Sequence, residues 1–199
     1  MYGYLVPAKR WQTKEERVLG MPLVRLEVSK TALRKLDRRM KRVRVDRLLE
    51  REPTLGLWQE RALECCLLLL EHKGLLPTRS SVEFFSCNPL SPDPILPFLP
   101  HVKTISLSAP NADELAWTLQ REYGVAVGMG EGDVSVCFSP ARRSLALPLY
   151  EPQPAVPGLE LWAQGLELPP DCPTQGAIAA LVNRGKLEQK AVKIRTNFS

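Results

Sequence analysis

Between residues 82 and 138, short apolar runs alternate with one amphipathic stretch. VEFFSC (82–87), VKTISLS (102–108) and VAV (125–127) have the length and the β-branched and aromatic content of strands. Between the last two, ADELAWTLQREY puts Ala112, Leu115, Ala116, Leu119 and Tyr123 on one helical face. Asn111 stands where a helix cap is expected, Glu114 follows three residues later as in a capping box, and Gly124 closes the helix. Asp133–Phe138 and Leu145–Leu149 read as two more strands, with Pro140–Ser144 between them as a hairpin connection. Strands interleaved with a helix argue for an α/β chain whose sheet is at least partly parallel.

Upstream, Pro22–Val28 alternates apolar and polar positions, as a strand with one exposed face does. From Lys30 to Arg47, Leu33, Leu36, Met40 and Val43 form one stripe of a helix whose remaining surface is basic. The stretch from Leu57 to Lys73 is apolar nearly all round, which predicts a helix buried on most sides, and Gly74 follows as its C′ residue. Five prolines between 89 and 100 leave room for only one short helical turn, around Ile95–Leu99. Seven more prolines between Pro148 and Pro173 predict an extended strap, and Pro173-Thr174 then opens a last helix. Ala191–Ile194 reads as a C-terminal strand able to finish the sheet.

This order of elements resembles a Rossmann-like three-layer α/β sandwich with a mostly parallel sheet, plus the proline-rich strap and the C-terminal helix. The resemblance covers about Val82–Leu149, with 22–73 supplying a first strand and two helices, and it rests on element order alone. The organisation expected is an irregular lead-in over 1–21 and one α/β domain over 22–199. Within that domain, 82–149 is the core, 150–173 the strap and 174–199 the closing helix and strand. Folds of this kind often bind nucleotides or metabolites, but function has to be argued from the site. No G-x-G-x-x-G stands at the first strand–helix junction, so the usual dinucleotide cradle is missing and no cofactor is legible.

Composition narrows the classes further. The 199 residues are 44% hydrophobic and 25% charged, as in ordinary globular proteins, and enough for a sizeable core. The start MYGYLVPAKRWQ has no apolar leader before its charges, and the strongest apolar run, 65–70, is far shorter than a membrane span, so a cytoplasmic, soluble protein is expected. Five cysteines without C-x-x-C and two histidines, His72 and His101, give neither a disulfide framework nor metal-ligand spacing, and no metal is expected. The net charge of +5 is concentrated in residues 30–47, where nine Lys/Arg face two Asp. Arg34, Lys35, Arg38, Arg39 and Arg42 make that basic amphipathic helix a candidate polyanion or nucleic-acid contact. Its plainer reading is a helix docked by its apolar stripe, with a solvated cationic face.

Candidate chemistry lies at the ends of strands. In open α/β sheets ligands bind outside the carboxyl ends of the strands, near the point where strand order reverses. Ser86, Cys87 and Asn88 follow one strand, Ser108 ends the next, and Asn111 begins the helix after it. All five also suit ordinary turn and cap duties. Cys87 as a nucleophile lacks a base suggestively placed in sequence. The glycine-rich 128–133 (GMGEGD) precedes a strand rather than a helix and carries two carboxylates, which suits a flexible connection better than a phosphate cradle. The leading reading is therefore a non-catalytic module binding a small metabolite or another protein. An enzyme with a cryptic nucleotide or metabolite site at the strand ends is one alternative, and a polyanion binder acting through 30–47 is another.

Overall fold

Five strands, all parallel, form the main sheet: β3 (Ser81–Phe85), β4 (Thr104–Ser108), β5 (Val127–Gly128), β6 (Val134–Cys137) and β7 (Ala146–Pro148). Their order is β5-β4-β3-β6-β7, so the protein is an α/β chain with a Rossmann-like sheet flanked by helices. The computed structural model describes residues 15–24, 48–128, 130–152, 156, 158–169 and 172–198. These divide into two compact units, one made of Leu55–Leu159 with the chain from Thr196 onward, the other of the chain up to Thr54 with Glu160–Arg195.

In the sheet unit, the apolar stretch at 57–73 forms two helices, α1 (Leu55–Glu60) and α2 (Ala62–His72), which meet at Arg61, a residue outside helical geometry. Gly74, at φ +70°, ends α2: the Gly74 amide donates to the Glu71 carbonyl and the Leu75 amide to that of Leu70. This is a Schellman closure, in which the last carbonyls find amide partners. α2 packs on β6 and β7, and α3 (Ala112–Tyr123) packs on β4 and β5. Alternation along the strands sorts the two faces of the sheet. Val82, Phe84, Ile105, Leu107, Val134 and Val136 are buried on one of them. Phe98, in the single turn Leu96–Phe98, meets Phe84 edge-on with ring centroids 5.0 Å apart.

Two short connections cover the opposite face, and both depart from the sequence reading. The segment 138–145 is not a hairpin loop, because β6 and β7 run parallel, with Ser135 beside Ala146 and Cys137 beside Pro148. A parallel pair needs a crossover rather than a tight turn, and eight residues are too few for the usual helix, so the chain lies against the sheet instead. The glycine-rich residues between Gly128 and Val134 carry the chain from the edge strand β5 past β4 and β3 to β6. That is three strand spacings, about 14 Å. Gly132 passes so close to β3 that a Cβ there would sit 2.6 Å from the Glu83 amide nitrogen and 2.9 Å from the Ser81 carbonyl oxygen. The glycine is thus required for close approach of two backbones.

One aromatic position differs from its expected burial: Tyr123, assigned to the inner face of α3, is 46% exposed. Trp117 is 58% exposed, with Arg121 stacked 4.8 Å from its ring. Only Leu115 and Leu119 of α3 are buried, because a helix lying over an edge strand presents only a narrow stripe to the sheet.

The second unit is built on a hairpin that the sequence reading did not contain. β1 (Glu15–Val18) lies within the lead-in expected to be irregular and pairs antiparallel with β2 (Met21–Val24). Leu19 and Gly20 both take positive φ, 47° and 76°, the requirement of a tight hairpin turn. The strand expected from Pro22 therefore belongs to this hairpin and not to the parallel sheet. Val18, Met21 and Leu23 pack with Leu49 and with Ala177, Ala180 and Leu181 of α4 (Thr174–Asn183). A Cβ at Gly176 would collide with the Leu49 carbonyl, so α4 and that segment touch backbone to backbone. The strap is interrupted by β8 (Leu159–Ala163), which pairs with β9 (Val192–Thr196) in a two-stranded sheet of its own. Prolines crowd both ends of 150–173 but are absent from 158–168, where the strand fits. No helix among the described residues is long and apolar enough to cross a membrane.

Candidate functional site

Strand order reverses between β3 and β6, since the chain leaves β3 toward β4 on one side and leaves β6 toward β7 on the other. The carboxyl ends of these two strands are where a ligand crevice is expected in such a sheet. The loop after β3 carries Ser86, Cys87 and Asn88, and the loop after β6 carries Ser139. Short backbone bonds tie the ends together: Ser86 N–H donates to the Ser108 carbonyl (3.0 Å), and Phe138 N–H to the Phe85 carbonyl (2.8 Å). The Cys87 amide donates to Ser139 Oγ (3.0 Å), and the Asn88 amide to Ser86 Oγ (3.0 Å).

The five residues singled out from the sequence divide by duty. Ser86 is buried and its hydroxyl holds the turn. Ser108 Oγ donates to Glu83 Oε1 at 2.6 Å. Asn111 sits at the N-cap position of α3 but makes no side-chain cap bond. Its Oδ1 instead accepts from the Leu90 amide and its Nδ2 donates to the Leu90 carbonyl, both at 2.9 Å, clasping the loop that follows β3. The amide side chain is spent on a longer-range partner, so the expected capping box does not form. Cys87 and Asn88 stay exposed at the rim. Arg34, Lys35, Arg38, Arg39 and Arg42 lie outside the described residues.

Beneath this rim is a constellation that the sequence reading missed. Glu83, the middle residue of the central strand, has no exposed surface. Ser106 and Ser135 flank it in register on β4 and β6, so three polar residues form a row across the sheet. Arg143, from the β6–β7 crossover, grips the carboxylate with both arms, Nε to Oε2 at 2.7 Å and Nη2 to Oε1 at 2.8 Å. Ser135 Oγ donates to Oε2 at 2.6 Å, so with Ser108 the carboxylate accepts four hydrogen bonds. The guanidinium stacks on Phe85, 4.7 Å from its centroid, and its side chain is 23% exposed. Burial by itself pushes the Glu83 carboxyl up; the bonds from Arg143, Ser108 and Ser135 outweigh it and hold the group below the ordinary carboxylate range. Glu131 of the glycine-rich crossover is drawn in too, accepting from the Ser144 amide and hydroxyl, both 2.9 Å. Those two bonds lower its carboxyl. A glutamate in an otherwise apolar strand was the legible signal, because an ionised side chain there requires a cationic partner.

The chemistry available is limited. A carboxylate saturated by four hydrogen bonds, two of them from one bidentate guanidinium, does not serve as a general base. Cys87 has no hydrogen bond to a histidine, and no cluster of His, Cys, Asp or Glu among the described residues is arranged to hold a metal ion. Burial pushes the neighbouring Cys137 thiol up to about 11, away from the reactive thiolate. Of the glycine-rich crossover, Gly132 lies against β3 between the carboxylates of Glu131 and Asp133, whose charge disfavours phosphate. Comparison with protein-family models, with curated proteins and with solved structures finds no match to this chain.

Proposed function

We propose that this protein is a non-catalytic binding module that holds a small ligand at the carboxyl ends of β3, β4 and β6. The observation that carries the reading is the coincidence of the strand-order reversal with the fully satisfied Glu83–Arg143 pair. A buried ion pair costs desolvation without being needed for a core, so it suits a platform whose geometry must be held fixed. Cys87 and Asn88 form the exposed rim of that platform, offering a soft thiol and an amide as contacts. The charge of Glu83 is already neutralised by Arg143, which leaves these strand ends suited to polar, weakly charged ligands.

The test is a thermal-shift panel of mononucleotides, dinucleotides, coenzyme A and S-adenosylmethionine. A ligand at 100 times its dissociation constant stabilises the native state by about 2.7 kcal/mol, a shift of several degrees for a chain of this size. The reading expects one such shift, diminished in Asn88→Ala and Cys87→Ser while both variants keep the unliganded melting point. A flat panel, or a shift indifferent to both substitutions, overturns it. A second reading has one observation of its own. The exposed Trp117, with Arg121 over its ring, gives α3 the aromatic and cationic pair common at protein contacts. Trp117→Ala tests that reading through loss of a partner in cross-linking, with no effect on the ligand panel.

A further inference from the structure

The chain from Glu71 to Leu76, at the end of α2, is exposed throughout and holds two adjacent leucines. Leu75 is 37% and Leu76 59% exposed, and they lie toward the amino ends of the parallel strands, since the chain then runs into β3 at Ser81. An exposed apolar spot rimmed by charge marks a contact surface. The loop is also closed on itself. Gly74, at φ +70°, turns it, and the Lys73 and Leu75 amides donate to the Leu69 and Leu70 carbonyls at 3.2 and 2.9 Å. Beyond the leucines, the Leu76 carbonyl accepts from the Arg79 amide (2.9 Å) and from Ser80 Oγ (2.8 Å), and Pro77 has no amide to leave unpaired. A tip whose backbone is mostly bonded internally loses little when its leucines enter an apolar medium.

Cations frame the leucines. Lys73 and Arg79 stand on either side of them in sequence, and both are exposed. Lys103, also exposed, is joined to the same edge by its amide, which donates to the Ser80 carbonyl at 2.9 Å. None of the three makes an ion pair among the described residues. Two carboxylates share this edge: Glu71 in the last turn of α2, and Asp133, whose Oδ2 already accepts from the Ser81 amide (2.8 Å) and hydroxyl (3.1 Å). The surface that matches leucines framed by unpaired cations is an anionic headgroup layer over acyl chains. Long basic side chains snorkel to the phosphates while the leucines sit beneath them.

We infer that residues 73–79, together with Lys103, form an interfacial contact that seats the amino edge of the sheet on an anionic membrane surface. The contact is peripheral, because two leucines reach only the boundary between headgroups and acyl chains. The inference is independent of the proposed ligand site, which lies at the opposite, carboxyl edge of the same sheet.

The experiment is co-sedimentation of the full chain with vesicles of phosphatidylcholine alone and of phosphatidylcholine with about 30% phosphatidylserine. Binding to the anionic vesicles only is expected, weakening as salt is raised from about 0.1 to 0.5 M. Lys73→Gln with Arg79→Gln is expected to weaken it about 25-fold, at about fivefold for each cation lost near the surface. Leu75→Ala with Leu76→Ala is expected to weaken it about tenfold, and Asn88→Ala to leave it unchanged. The titrations are repeated in Arg38→Glu with Arg39→Glu and Arg42→Glu, so that the basic segment 30–47 does not supply the binding; the leucine-dependent part is expected to remain. Absence of binding overturns the inference, as does binding equal on neutral vesicles, indifferent to the leucine pair, or lost with the basic segment alone. Light scattering that shows the leucine pair to dissolve a dimer, with lipid binding intact, assigns the surface to a second copy and also overturns it. If the leucine variant melts early, the Lys73→Gln, Arg79→Gln comparison at exposed positions decides alone.

Discussion

Removing Arg143 tests whether the pair with Glu83 braces the sheet. Arg143→Ala takes two charge-assisted hydrogen bonds, at 2.7 and 2.8 Å, from a carboxylate with no exposed surface. Removing one member of a buried ion pair costs about 3–5 kcal/mol, because the other is left buried and unpaired. Two influences reduce that figure: Ser108 and Ser135 still donate to the carboxylate, and the Arg143 side chain is itself partly exposed to water. The lost stacking on Phe85 adds about 0.5–1 kcal/mol. A net loss of about 3 kcal/mol at pH 7 is expected, a large share of the stability of an ordinary domain. The pH dependence is more diagnostic than the magnitude. In the native protein the Glu83 carboxyl lies below its ordinary value, so its contribution is fully present above that value and is lost as pH falls through the lowered one. Without Arg143, burial becomes the dominant influence and the folded carboxyl rises above the unfolded value. The variant then gains from protonation, and its deficit widens as pH rises from about 4 to 7. Urea denaturation at both pH values measures this. A deficit below about 1 kcal/mol at pH 7, or one equal at both values, would refute the reasoning.

Three further outcomes follow from individual contacts. Gly132→Ala is expected to cost about 2 kcal/mol in urea denaturation, because its Cβ meets the Glu83 amide and the Ser81 carbonyl of a central strand that cannot yield; a neutral effect contradicts the close crossover. Asn111→Ala loses both bonds to Leu90 and is expected to cost about 1–2 kcal/mol, with faster amide exchange over 86–90 and unchanged helix content; loss of α3 itself restores the capping role. Iodoacetamide at pH 8 is expected to modify the exposed Cys87 before Cys66 and Cys137, whose thiols burial pushes up to about 12 and about 11, and peptide mass spectrometry showing Cys137 labelled as fast as Cys87 contradicts that burial.

The contrast between Asn111 and Gly74 shows how far local pattern reaches. Gly74 closes α2 as its sequence position predicts, since a left-handed C′ residue is decided within one helical turn. Asn111 stands at an equally good cap position, yet its amide goes to Leu90, 21 residues earlier in the chain. The same limit applies to 140–144. Five residues with a proline between two strands read as a hairpin, and only the register with Ala146 shows the strands to be parallel.

The sequence by itself determined the α/β class, the succession of strands and helix from 82 to 127 and the buried character of 57–73, because hydrophobic period and turn residues act over a few neighbours. It also placed Ser86, Cys87, Asn88 and Ser108 at strand ends, where the structure gathers them. Only the tertiary structure decided that Ser106, Glu83 and Ser135 stand in one row, since they come from strands far apart in sequence and share a level only through register. It likewise decided that Arg143, 60 residues from Glu83, is the cation that meets it, and that Gly132 of the glycine-rich link lies against β3. A buried charge announces in sequence that it needs a partner; which residue answers is settled by the path of the chain across the sheet.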